Sequence, residues 1–177
     1  MGRIGVPKPV KLIMSLIGSD DRLLHQVIQI LGERYGEVDF TSDILPFDFT
    51  DYYTVEMGEG LFRRLITFSP LIPRETLVRI KQETNEIEEQ FALEGKRRVN
   101  IDPGYICAEH LILATTKGYT HRPYLGEGIH ADLTLIYREG QFRPLDWTYP
   151  DYASSQVREI LQRVRKQYVQ ELQRGEA

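Results

Sequence analysis

The chain reads as a single α+β domain, and three observations point there. Its 177 residues suit one domain with a substantial core, and would be cramped as two. Hydrophobic and charged contents of 41% and 27% are those of an ordinary globule. Short apolar runs alternate with amphipathic helical stripes along residues 9–102.

The elements follow in order. Residues 9–18, PVKLIMSLIG, form an apolar run closed by Gly18 and predict a buried strand. Ser19 and Asp20 can cap a helix whose apolar positions Leu24, Val27, Ile28 and Leu31 recur at helical spacing, with Gly36 as its stop. Residues 37–47 look extended, and residues 61–68 predict a further strand. Pro73 suits the first turn of a second helix. Its stripe is Leu77, Ile80, Thr84, Ile87 and Phe91, and Gly95 ends it. Residues 99–102 are then a strand. The order is β-α-β-β-α-β, the split pattern of a ferredoxin-like sandwich with helices on one face of the sheet.

Residues 103–177 extend this core. Residues 108–116 predict a short helix closed by Gly118. Ile129, Ala131, Leu133, Leu135 and Tyr137 alternate as in a strand with one wet face. Glu139-Gly140 predicts a two-residue turn into residues 141–145. Ser154 or Ser155 caps a last helix with the stripe Val157, Ile160, Leu161, Val164 and Tyr168.

A net charge of −4 argues against a protein that coats nucleic acid, which needs a basic face. The single cysteine, Cys107, excludes an internal disulfide and a Cys-based zinc site. Lys11 interrupts the N-terminal apolar run, which is too short for a signal peptide. No run approaches the ~18 apolar residues of a membrane span. The expectation is a cytoplasmic protein with no membrane partner.

The candidate site is residues 96–128, KRRVNIDPGYICAEHLILATTKGYTHRPYLGEG, where charged groups crowd Gly and Pro residues that fix the backbone. If residues 99–102 are a strand, Arg98, Asn100 and Asp102 share one face, with Val99 and Ile101 on the other. Arg98 and Arg122 offer planar forks to a phosphate or carboxylate, and Lys117 adds a point charge. Asn100, Tyr124 and Glu127 complete the ligand-binding candidates. His121 and Asp102 are the proton-exchanging candidates, since imidazole titrates near neutral pH. Lys96 and Arg97 are explained first as cations at a helix end, where they are favoured without any ligand.

A second cluster is acidic. Asp39, Asp43, Asp48, Asp51 and Glu56 lie amid Phe40, Phe47, Phe49, Tyr52 and Tyr53. It can hold Mg²⁺ or a cationic group, or it can neutralise Arg63, Arg64 and Arg98 internally. No metal-ligand set is assigned. The chain contains no Walker A, Gly-x-Gly-x-x-Gly, Gly-x-Ser-x-Gly or His-Glu-x-x-His pattern.

FTSDILPFDFTDYY (40–53), EMGEGLFRR (56–64), GKRRVNIDPGY (95–105), LATTKGYTHRPYLGEG (113–128) and WTYPDY (147–152) resemble a family of bacterial and archaeal proteins of about this size. That family is known only as a domain of unknown function. The resemblance spans nearly the whole chain and implies a single-domain prokaryotic protein. It carries no activity, substrate or catalytic residue.

Three classes of function therefore stand open. The first is a small enzyme or ligand-binding protein that holds an anionic molecule at residues 96–128. The second is a structural or partner-binding subunit without chemistry, with aromatic bands at 47–53 or 147–152 as contacts between copies in a homo-oligomer. The third is an RNA-binding module that stacks bases on Phe40, Tyr52 and Tyr53, against which the net acidity and the missing RNP pattern count.

Overall fold

The computed structural model describes residues 2–50 and 53–175. A nine-stranded antiparallel sheet organises the chain. Its strands are β1 (Val10–Gly18), β2 (Val38–Thr41), β3 (Leu45–Pro46), β4 (Phe62–Ile72), β5 (Val99–Ile106), β6 (His110–Thr115), β7 (Tyr124–Gly126), β8 (Ile129–Arg138) and β9 (Gln141–Pro144). They lie in the order β2-β4-β1-β5-β6-β8-β7, with β3 added to β4 and β9 to β8. The helices are α1 (Asp21–Tyr35), α2 (Thr54–Met57), α3 (Leu77–Gln90), α4 (Pro150–Ala153) and α5 (Ser155–Gly175).

Central position explains why β1 is a continuous apolar run. Leu12, Met14 and Leu16 pack under α1 and α3, while Ile13 joins a second core beneath α5. The sheet is thus covered on both faces, with α1 and α3 on one and α5 on the other. Asp20 caps α1 by accepting from the Arg22 and Leu23 amides at 3.0 and 3.2 Å. Gly36 ends it at φ 105°, where a Cβ would sit 2.6 Å from Pro70. The turn between β8 and β9 has positive φ at both Glu139 and Gly140, the geometry that matches the twist of a tight hairpin.

One expectation is overturned. Residues 108–116 are not a short helix, because residues 110–115 form β6 between β5 and β8. The run Leu111-Ile112-Leu113-Ala114 is apolar at every position because both faces of the sheet are covered there: Leu111 joins the α5 core, Ile112 and Ala114 the α3 side. A short run of that kind has no period to read. A second difference concerns β8, whose predicted wet face is buried at Asp132 and Thr134.

Candidate functional site: a cleft in the fork of the sheet

Strands β5 and β6 pair only through Gly104–Ile106 and Leu111–Leu113. Beyond that point they part, and the sheet forks. The backbone groups of Ile101 face the fork, and Pro103, two residues on, faces the same way. A proline there has no N–H with which to carry the ladder further. Side chains of α3 take over instead. Lys81 donates to the Ile101 carbonyl at 3.0 Å, and Glu88 accepts from the Ile101 amide.

A cleft of about 850 Å³ opens in this fork. Its α3 wall presents Lys81, Asn85 and Glu88, a polar stripe beside the apolar stripe that faces the core. Its floor includes Asn100, Asp102, Arg63 and Tyr152, and its rim Phe49, Lys117 and Tyr149. Five of the polar groups belong to one circuit, Lys81, Glu88, Arg97, Asn100 and Asp102. Asp102 lies 3.6 Å from Lys81 Nζ and accepts from Asn100 Nδ2 at 2.7 Å. Asn100 Oδ1 accepts from Arg97 Nη1 at 2.8 Å, and that same nitrogen lies 3.6 Å from Glu88. Arg97 then grips Glu56 of α2 with two parallel bonds of 2.8 and 2.7 Å.

Electrostatics set the protonation states. Burial pushes the Glu88 carboxyl up to about 7, against the downward pull of Lys81 and the Ile101 amide. Glu56 is held below the usual carboxylate range by its bonds from Arg97. A buried carboxyl that titrates near neutrality at the wall of an open cleft is suited to accepting and releasing a proton.

Of the sequence candidates, Asn100, Asp102, Lys117 and Arg122 line the cleft. Arg122 is bonded to Asp132 at 2.7 Å and to the Tyr149 hydroxyl at 3.1 Å. His121 stands behind that wall, stacked on Trp147 at 4.8 Å with Nε2 3.7 Å from Asp132. Arg98 is exposed beside Asp20 at 3.5 Å, away from the cleft. Tyr124 and Glu127 belong to the exposed β7–β8 turn, where the Tyr124 hydroxyl accepts from the Gly128 amide.

Arg63, Lys81, Glu88, Asp151 and Tyr152 escaped the sequence reading. The seven-residue spacing of Lys81 and Glu88, two turns on one helix face, was the available signal.

Among the described residues, the acidic segment does not neutralise Arg63, Arg64 and Arg98. Those side chains pair with Asp151, Asp21 and Asp20. Asp39 instead meets the fully buried Lys11, and Glu56 meets Arg97. Phe40 packs against the α5 core, and Tyr53 lies by the Arg97 guanidinium. Asp51 and Tyr52 fall outside the described residues. Among the described residues, no group of three or more His, Cys, Asp or Glu side chains is placed to hold a metal ion, and no helix is long and apolar enough to cross a membrane.

Fold and site define an α+β protein with a charged, aromatic-rimmed cleft in a forked sheet. Residues 8–168 match the family described as Domain of unknown function (DUF4416), and the chain belongs to that family. Comparison with curated proteins finds no match, and neither does comparison with solved structures.

Proposed function

We propose that the protein binds a small organic anion in the forked cleft and exchanges a proton with it through Glu88 and Asp102. The observation that carries this reading is the convergence of Lys81, Glu88, Arg97, Asn100 and Asp102 on one open cavity. Its volume of about 850 Å³ is that of a small-molecule site. Polar groups of this density are costly to bury, and a packed apolar fork would serve stability better. The site is thus wider than residues 96–128, and His121 leaves the reacting set.

The order β2-β4-β1-β5, with α1 and α3 on one face, supports reading residues 9–102 as a ferredoxin-like core. The same proposal places the protein in a prokaryotic cytoplasm. A partner-binding subunit without chemistry is the second reading. It is favoured by the exposure of Tyr119, Tyr124, Trp147 and Tyr149.

A thermal-shift screen of nucleotides, sugar phosphates, carboxylates and short RNAs, with and without Mg²⁺, tests the proposal. A ligand at ~100 times its dissociation constant adds about 2.7 kcal/mol, a shift of several degrees for a domain of this size. A hit weakened by Asp102→Asn and by Glu88→Gln supports the cleft. A flat panel with concentration-dependent self-association supports the partner-binding reading, and a hit confined to RNA supports the third class.

A further inference from the structure

At the wall of the cleft that Arg63 and Tyr152 line, and resting on the reading just given, one group of atoms remains unexplained. Ser15 on β1 and Arg63 on β4 lie on the α5 face of neighbouring strands, Ser15 opposite Leu65 and Arg63 opposite Ile17. The Arg63 guanidinium sits between the rings of Phe47 and Tyr152, at 4.9 and 4.7 Å, and is ion-paired with Asp151. The Tyr152 hydroxyl lies beside Ser15. Ser15 Oγ, Arg63 Nε and Tyr152 Oη are all buried and have no hydrogen-bond partner among the described residues. Ser15 is 1% exposed, and Arg63 and Tyr152 are each 4% exposed. Buried polar groups are nearly always satisfied, and three neighbouring exceptions at the edge of a cavity call for a partner.

The cations first singled out in the sequence are already committed. Arg97 is spent on Glu56 and Asn100, Arg122 on Asp132 and Tyr149, and Arg98 on Asp20.

We infer that Ser15 Oγ, Arg63 Nε and Tyr152 Oη form the seat for a carboxylate group of the ligand, with the aromatic side chains Phe47 and Tyr53 against its body. All three atoms donate hydrogen bonds, and a carboxylate offers about four lone-pair positions to them. A dianionic phosphate fits worse, because Asp151 already pairs with Arg63 and Asp102 on β5 is the strand partner of Ser15 on β1. Burial raises the Tyr152 phenol and keeps it a donor throughout the neutral range. The three atoms are buried, so access to the seat requires the Tyr152 ring to turn.

Tyr152→Phe removes only the unpartnered hydroxyl. The variant is expected to keep or raise the apo unfolding midpoint while weakening benzoate and phenylacetate by about tenfold, the value of one lost hydrogen bond. Arg63→Lys, which retains a charge for Asp151, is expected to lose them further. Phenyl phosphate serves as the contrasting probe. If Tyr152→Phe lowers the apo midpoint and leaves benzoate affinity unchanged, the three atoms surround a structural water and the seat is refuted. If phenyl phosphate binds and the carboxylates do not, the seat falls while the cleft reading stands. If neither carboxylates nor phosphates bind, both fall together.

Discussion

Lys81 and Glu88 hold the carbonyl and amide of Ile101 as a neighbouring strand would, so the open flank of β5 is satisfied by a helix. This arrangement lets the sheet part at Ile101 without orphaning that residue's backbone groups. It also places two ionisable side chains at the wall of a cavity, each only 6% exposed.

The first prediction concerns pH. The folded Glu88 carboxyl titrates near 7, above its ordinary value of 4.5. The native state therefore binds this proton more tightly than the unfolded chain. Its contribution to stability is full below pH ~4.5 and is lost as pH rises towards 7. Glu88→Gln keeps an acceptor for the Ile101 amide and cannot ionise. Urea denaturation should find the variant more stable than the parent by about 1–3 kcal/mol at pH 8, and little changed at pH 4.5. Equal slopes of stability against pH in both proteins would contradict the assignment.

Asn100 bridges Arg97 and Asp102 with both ends of its amide. Asn100→Ala should cost about 1–2 kcal/mol, since it removes two hydrogen bonds from half-buried groups that keep their other partners, Glu56 for Arg97 and Lys81 for Asp102. The double variant with Arg97→Ala should cost less than the two singles added, because the residues share one circuit. Additive effects would break the circuit into independent pairs.

Gly104 lies where β5 approaches β6, and a Cβ there would be 2.3 Å from the Ile112 carbonyl and 2.7 Å from Leu113 Cδ2. Gly104→Ala should destabilise by roughly 2 kcal/mol or more through overpacking against backbone. Amide exchange at Cys107, which donates to the His110 carbonyl at 3.0 Å, should accelerate with it. Unchanged protection at that amide would mean that the strand junction accommodates the methyl group.

Lys11, wholly buried on β1, joins Asp39 of β2 to Glu171 near the end of α5. Lys11→Met should cost about 3 kcal/mol by stranding two carboxylates together. Helix α5 should lose protection first in its last turns. Asp39→Asn combined with Glu171→Gln should recover part of the loss in the Met background. Failure to recover any would place the cost in packing.

The sequence made some of this legible and hid the rest for definite reasons. Asp20 and Gly36 bound α1 through local capping and turn geometry, so its limits could be read directly. Val99 and Ile101 face the core and Asn100 and Asp102 the opposite side, because strand alternation is also local. Strand β6 was hidden by burial on both faces, which erases the period. Arg63 and Tyr152 were hidden because their meeting depends on β4 and α4 docking across the sheet. Glu88 was masked by neighbouring glutamates on a helix that reads as solvated.

The cleft is assembled from distant stretches of chain: Ile17 comes from the first strand, Arg63 from the fourth, Lys81 and Glu88 from a mid-chain helix, and Tyr152 from α4. Contacts this far apart in sequence form late, after loop closure has been achieved. An intermediate with a complete β1–β4–β5 ladder but undocked α4 would show native-like sheet and have no cavity. Ligand capture in a refolding experiment would therefore lag behind the backbone signal, and would time the arrival of the C-terminal layer.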